Sequence, residues 1–299
     1  MTEFNWHNES TEPIKVRTLL AENGVTRSLL KEIKYHGGLV EVNGVERRVN
    51  ESLQKGDWVR MVLPPEPAND VISPSDLPLD ILFEDEHFLV VNKPASVASV
   101  PSHIYARDTL VNRVKGYYVR QAYENQVTHI VTRLDRETSG VVLFAKHHLA
   151  HSVLDLQLKK HQLKKTYLAV VEGQLKKNHD IINTSIGRAP NSFIKRQVVS
   201  EGKKSITEYW RIKQMPAATL LRLQLHTGRT HQIRVHMQSI GHPLIGDWLY
   251  GSTSNPWIKR QALHCLSVTF YNPFSKQVIK CVAPIPVDMA TLITKESEV

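Results

Sequence analysis

The sequence predicts an α+β protein: a body built on a mainly antiparallel mixed sheet, preceded by a small α/β domain. Three observations lead there. From about residue 80 onward strand-like apolar runs dominate and helical patterns are few, which suits an antiparallel sheet better than a doubly wound parallel one. The first 65 residues instead carry two helical patterns followed by hairpin signals. Between them lies PPEPANDVISPSDLP, a Pro-rich polar stretch with the composition of a linker. The boundaries implied are a domain at 1–65, a linker at 66–79 and a body at 80–299, with few core contacts crossing the linker.

The elements follow in chain order. Val16, Leu19 and Leu20 have helical spacing, and Leu29, Leu30 and Ile33 repeat it before the stop at Gly37 and Gly38. Asn43-Gly44 between alternating apolar residues predicts a tight hairpin, and KGDWVRMVLPP supplies a last strand. In the body, Val141, Val142, Leu143 and Phe144 predict a buried strand, and Ala150, Val153, Leu154 and Leu158 an amphipathic helix. THQIRVHMQSIG predicts another helix, capped by Thr230, ended by Gly241 and burying a stripe of Ile233, Met237 and Ile240. Arg234 lies beside that stripe, where a long cation either snorkels to water or is buried against a carboxylate.

Composition narrows the class. With 299 residues and 41% hydrophobic content the chain has enough apolar material for one large core or two domains. Its formal charge of +9 and pI near 9.4 point to a polyanionic partner, although a solvated lysine surface has the same signature. Cys265 and Cys281 sit in apolar runs with no metal-type spacing, as buried thiols of a reducing compartment do. MTEFNWHNES lacks the basic-then-apolar order of a signal peptide, and no apolar run is long enough for a bilayer, so a cytoplasmic protein without membrane partners is expected.

The chemistry concentrates in VTRLDRETSGVVLFAK, Val131 to Lys146. It places Asp135 between Arg133 and Arg136, ahead of a Thr-Ser-Gly turn and a buried strand, where a rigid scaffold can aim a carboxylate whose ionised form the arginines favour. A lone Arg-x-Asp is more often a surface salt bridge. Elsewhere, His147 and His151 have the spacing of helical metal ligands, but no acidic or Cys ligand accompanies them, so no metal is expected. Lys93-Pro94 has a structural or phosphate-facing look, and Asp247, crowded by Gly and Pro, reads as a loop organiser.

The Arg-Leu-Asp-x-x-Thr-Ser-Gly run resembles the hallmark of RluA-type RNA pseudouridine synthases. FEDEHFLVVNKPAS, LKKTYLAVVEG and LHTGRTHQIRVHMQSIGHPLIGDWLYG match further motifs of that family in the same order. Two residues depart from its pattern: Thr132, where the family often has His, and Ser96, where it often has Gly. The resemblance implies an isomerase that breaks the glycosidic bond of uridine, turns the base and rejoins it through carbon five. Such a reaction has no redox change and transfers no external group, so it needs no cofactor. Asp135 is then the catalytic carboxylate, either as nucleophile or as the base that removes a ribose proton. Arg234 pairs with it, Tyr167 provides a ring against the uracil and a hydroxyl for the carbon-five proton, and Arg133 contacts RNA or fills the gap left by the displaced base.

The first 65 residues resemble the small RNA-binding domain of a ribosomal small-subunit protein. Arg17, Arg27, Lys31, Lys34, Arg47 and Arg48 are its candidates for phosphate contacts. The expected partner is therefore RNA, ribosomal ahead of transfer RNA, and with one site per chain a monomer suffices. The alternatives are a non-catalytic RNA-binding or ribosome-assembly protein on the same fold and, further off, a glycosidase, for which a second carboxylate is lacking.

Overall fold

The computed structural model describes residues 2–67, 71–102, 104–252 and 254–298. Residues 68–70 of the expected linker lie outside the described residues. The chain opens with β1 (Glu3–His7), β2 (Ile14–Lys15), α1 (Val16–Glu22), α2 (Arg27–Tyr35), β3 (Leu39–Val42), β4 (Val45–Glu46), β5 (Ser52–Leu53) and β6 (Trp58–Val62). Four of these strands form a sheet in the order β1-β6-β3-β4, and β2 pairs with β5. Both helices bury the apolar positions that their spacing marks: Val16, Leu19 and Leu20 on α1, Leu29 and Ile33 on α2. The Thr26 hydroxyl caps α2 by accepting the Leu29 N–H at 3.3 Å. Asn43 and Gly44 both have positive φ, 52° and 79°, the primed turn that joins the paired residues Val42 and Val45. β1 alternates Phe4 and Trp6 with polar residues, a pattern of only five residues. It is a strand because it pairs with β6 along five residues, from Glu3 opposite Val62 to His7 opposite Trp58.

The body continues with β7 (Asp80–Glu84), β8 (Phe88–Lys93), α3 (Leu110–Arg120), β9 (His129–Ile130), β10 (Ser139–Ala145), α4 (His148–Lys159), β11 (Lys164–Glu172), β12 (His179–Arg188) and β13 (Arg196–Val198). It closes with β14 (Lys203–Gln214), β15 (Ala218–Leu225), α5 (Gln232–Ser239), β16 (Leu263–Asn272), β17 (Gln277–Val282) and α6 (Val287–Glu298). One long sheet runs β13-β12-β14-β15-β11-β16-β10-β8-β7, with β17 beside β16 and β9 beside β10. Its pairings among the described residues are antiparallel except for β10 with β16. That parallel contact explains the glycine of the Thr-Ser-Gly turn. A Cβ on Gly140 would lie 2.2 Å from the Cys265 carbonyl oxygen, and its φ of +112° is open to glycine alone. All seven residues of β10 are buried, so the strand that follows Asp135 is held on both faces.

Two expectations fail on packing. The core of the first unit is not closed on itself, because Leu149 and Val153 of α4 are buried in one cluster with Phe4, Val16, Leu20 and Leu53. Phe274 packs there too. α5 begins at Gln232 rather than behind a Thr230 cap: His231 takes the cap position at φ 58° and makes no side-chain cap bond. The expected stripe is also incomplete, since Ile240 is exposed whereas Gln232 through Met237 are all buried. The first six residues are buried on every side while Gln238 and Ser239 are exposed, so burial follows position along the helix and not a single stripe. Cys265 and Cys281 are free and buried, and among the described residues no helix is long and apolar enough to cross a membrane.

Candidate active site

Asp135 stands on the turn that leads from β9 into β10, and buried groups grip the backbone of this turn at nearly every residue. The Ser99 hydroxyl donates to the Leu134 carbonyl at 2.7 Å and accepts the Leu134 N–H at 3.1 Å. The Thr138 N–H closes the turn onto the Asp135 carbonyl at 3.0 Å. Lys93, fully buried, donates to the carbonyls of Pro94, Val97 and Arg136 at 2.8, 2.8 and 2.9 Å. Arg260 donates to the Glu137 carbonyl at 3.0 Å while its Nε and second terminal nitrogen grip Asp288 of α6 at 2.7 and 2.9 Å. The two carbonyls after Asp135 are thus each held by a buried cation, and the Lys-Pro element is structural. Burial pushes the Lys93 ammonium down to about 7, a cost the turn bears for its rigidity.

The two departures from the family pattern have visible local consequences. Ser96 sits at φ 65°, in the left-handed region that favours glycine, and its hydroxyl donates to Glu137 Oε2 at 2.9 Å. Thr132 turns its hydroxyl toward the β10 backbone and accepts the Leu143 N–H at 3.0 Å.

Asp135 faces a cavity of about 540 Å³ lined also by Arg133, Lys165, Tyr167, Arg229, His231 and Arg234. Neither flanking arginine pairs with its carboxylate. The cation opposite it is Arg234, whose NH1 lies 3.4 Å from Asp135 Oδ2. The remaining nitrogens of Arg234 make a bidentate pair with the fully buried Asp247, at 2.7 and 2.8 Å. Burial alone would lower the Arg234 pKa, but the hydrogen bonds and charge of Asp247, with Asp135 adding to them, raise it. Asp247 therefore does more than shape a loop: it fixes the guanidinium plane and leaves one edge for Asp135. His231 Nε2 is 3.9 Å from Asp135 Oδ2, its Nδ1 meets the Tyr250 hydroxyl at 2.9 Å, and burial lowers its pKa. The Tyr250 ring lies 4.9 Å from the Arg234 guanidinium carbon.

Tyr167 comes from β11 and is buried in the cavity wall. Burial, with Cys265 and Asp135 nearby, raises its pKa well above that of a free phenol, so the hydroxyl is protonated at neutral pH. Lys165, two residues earlier, lines the same cavity and burial lowers its pKa. Arg133 is exposed and makes no hydrogen bond or ion pair among the described residues. Arg136 is engaged: it donates to the Tyr105 hydroxyl at 2.7 Å and lies 4.7 Å from that ring's centroid.

The cavity thus brings together Asp135, Tyr167, Arg234 and Arg133 with Lys165, His231 and Arg229. The sequence reads Asp247 only as a loop organiser and gives His231 no role, because what each touches is a contact made across the fold. The six N-terminal candidates are elsewhere. Arg17, Arg27, Lys31, Lys34, Arg47 and Arg48 are all exposed, and none lines the cavity. Arg27, Lys31 and Lys34 share one face of α2 by helical spacing, while Arg17 bonds Asn50 at 3.2 Å beside Arg47 and Arg48. His147 is the cap of α4, accepting the Ala150 N–H at 3.2 Å, and no group of three or more metal-type ligands occurs among the described residues.

Asp135 and Arg234 thus pair in the lining of a cavity beside a long, antiparallel-rich sheet. Residues 87–239 match the RNA pseudouridylate synthase family. The Bacillus subtilis (strain 168) "Uncharacterized RNA pseudouridine synthase YjbO" is 40% identical over 282 residues, covering 94% of this chain and 99% of its own. "Ribosomal large subunit pseudouridine synthase D" of Xylella fastidiosa (strain Temecula1 / ATCC 700964) is 36% identical over 269 residues, 86% of this chain and 80% of its own. Human RNA Pseudouridylate Synthase Domain Containing 1 shares the fold with a TM-score of 0.58 at 23% identity, over 78% of this chain and 98% of its own. The chain belongs to the RNA pseudouridine synthase family, isomerases that convert uridine in RNA to pseudouridine.

Proposed function

We propose that this enzyme isomerises uridine in structured RNA, ribosomal ahead of transfer RNA, through Asp135 as the essential carboxylate. The observation that carries this is the pairing of Asp135 with Arg234 in the cavity, backed by the buried Asp247. A guanidinium so tethered keeps the carboxylate charged and aimed in a site from which a bound base excludes water. Asp135 acts as nucleophile or as the base on ribose. In either route the N1–C1′ bond breaks, the base turns, C5–C1′ forms, N1 ends protonated and C5 loses its proton. Tyr167 offers its ring face to the uracil. Because its phenol is protonated, it can move the C5 proton only by passing on its own. The unpartnered Arg133 contacts RNA or fills the stack that the uridine vacates.

Ribosomal RNA is favoured because the Xylella relative is a ribosomal large subunit pseudouridine synthase. Residues 1–65 serve as a small RNA-binding domain of the ribosomal-protein type, with the exposed cations of α1, α2 and the β3–β4 hairpin toward phosphates. Asp135→Asn keeps the side chain's shape and removes its charge. It is expected to abolish pseudouridine formation on RNA from cells lacking the enzyme, with RNA affinity within about twofold of wild type. Turnover comparable to wild type would sink the assignment of Asp135.

A further inference from the structure

The proton that leaves carbon five needs an acceptor, and Tyr167 by itself is not one. Its phenol is protonated at neutral pH, so the hydroxyl takes a proton only by giving up its own. A group beside it has to receive that second proton. Arg133, Arg229 and Arg234 line the cavity but have no lone pair to offer. Asp135 is the reacting carboxylate and faces Arg234, and His231 is held between the Tyr250 hydroxyl and Asp135. Cys265 stands opposite Tyr167 on β16. It is fully buried and its thiol is pushed up to about 11, so it already carries a proton.

Lys165 is better placed. It lies two residues before Tyr167 on β11, where Thr166 pairs with Ser267 and Tyr167 with Cys265. The residue skipped between those pairs is Leu266, so the bulge belongs to β16 and β11 itself stays regular. The side chains of Lys165 and Tyr167 therefore leave the strand on the same face, and both line the cavity. Lys165 makes no hydrogen bond or ion pair among the described residues. Lys93 differs, since three carbonyls satisfy its ammonium. An ammonium with no acceptor in a cavity wall is costly. Burial, opposed by the nearby Cys265, accordingly holds Lys165 below the usual lysine range and favours the neutral amine.

We propose that Lys165 is the acceptor at the end of a proton relay, taking the Tyr167 hydroxyl proton on Nζ as the phenol oxygen takes the proton from carbon five. This rests on the reading of the cavity as a uridine site. Once C5–C1′ has formed, the C5–H bond breaks and its electron pair restores the C5–C6 double bond, which leaves the negative charge on N1. Tyr167 ends as it began, a neutral phenol, and Lys165 ends as an ammonium. N1 takes a proton from solvent, and Lys165, which is only half-buried, returns its proton to solvent when the product leaves. No oxidant or other reactant is needed.

The test uses the full-length protein and total RNA, tritiated at carbon five of uridine, from cells lacking the enzyme. It reads RNA affinity and single-turnover tritium release at saturating enzyme. Lys165→Met keeps the length of the side chain and removes the amine. It is expected to bind RNA within about twofold of wild type and to release tritium about 10²-fold more slowly. Lys165→Arg keeps the charge but cannot take up a proton, so it is expected to be as slow as Met. The wild-type rate is expected to rise with pH as Lys165 loses its proton, and the Met variant to lack that rise. Lys165→Ala is expected to regain rate as propylamine is added. The relay is overturned if Met reacts as fast as wild type or keeps the same pH dependence, if Arg restores the rate, or if propylamine does nothing. A Met variant that loses affinity, lowers the salt slope by about 1 and reacts normally once saturated would make Lys165 a phosphate contact instead. Wild-type protein that releases no tritium would overturn the uridine site, and the relay with it.

Discussion

Asp247 carries no chemistry in the proposed reaction, yet the geometry around Asp135 depends on it. It is fully buried and satisfies two of the three nitrogens of Arg234, so removing its charge leaves a buried guanidinium with only Asp135 to answer it. Asp247→Asn is expected to lower stability by about 3 kcal/mol, read from urea unfolding, and to slow single-turnover isomerisation while RNA affinity changes little. Stability within about 0.5 kcal/mol of wild type would mean that Arg234 finds another partner. Tyr167 divides differently. Phe keeps the ring and loses the hydroxyl, so Tyr167→Phe is expected to bind RNA normally and to slow loss of the C5 hydrogen by about 10²-fold. Full activity in the Phe variant would leave Tyr167 as a stacking surface alone.

The entry to α4 shows what an element's end can do for pH dependence. His147 accepts the Ala150 N–H on Nδ1, which leaves Nε2 as the protonated nitrogen that meets His87 Nδ1 at 3.0 Å. Phe4 and Phe274 enclose the ring, and burial, helped by the neighbouring His87, His129, Lys146 and His148, pushes its pKa down to about 3. The unfolded chain then binds this proton near pH 6.5 while the folded chain refuses it until about pH 3. The resulting stability is present above pH 6.5 and is lost as pH falls through that window. Between pH 7 and pH 5 the wild type is expected to lose about 2 kcal/mol more than His147→Asn, which keeps a capping oxygen and cannot titrate. Equal losses in urea titrations of the two proteins would show that this imidazole is not the group responsible.

Across the whole molecule the N-terminal unit and the body share apolar packing through Leu149, Val153 and Phe274. Cutting the chain near residue 65 would therefore expose part of the body's own surface, and the role of the first domain is better tested by charge than by truncation. Arg27→Gln, Lys31→Gln and Lys34→Gln together remove the exposed cations of one α2 face and touch no core residue. If that face meets phosphates, the slope of log affinity against log salt is expected to fall by about 2 to 3, with activity at saturating RNA retained. An unchanged slope would place the RNA elsewhere.

The sequence by itself determined the local features: helices where Leu19 or Ile33 recur at helical spacing, the turn that Asn43-Gly44 requires, and a buried strand after a carboxylate loop. It also brought Asp135, Tyr167 and Arg234 to notice, because residue type and order within a motif survive without coordinates. Only the tertiary structure decided which groups meet. β1 is held as a strand by the pairing edge that β6 offers, and α5 is buried from Gln232 to Met237 because the fold closes over that part of it. Asp247 binds Arg234 because a loop thirteen residues further on returns beneath the helix. Period and propensity act over a few residues, whereas desolvation, ion pairing and strand pairing act between segments that are distant in the chain, and those partnerships exist only once it has folded.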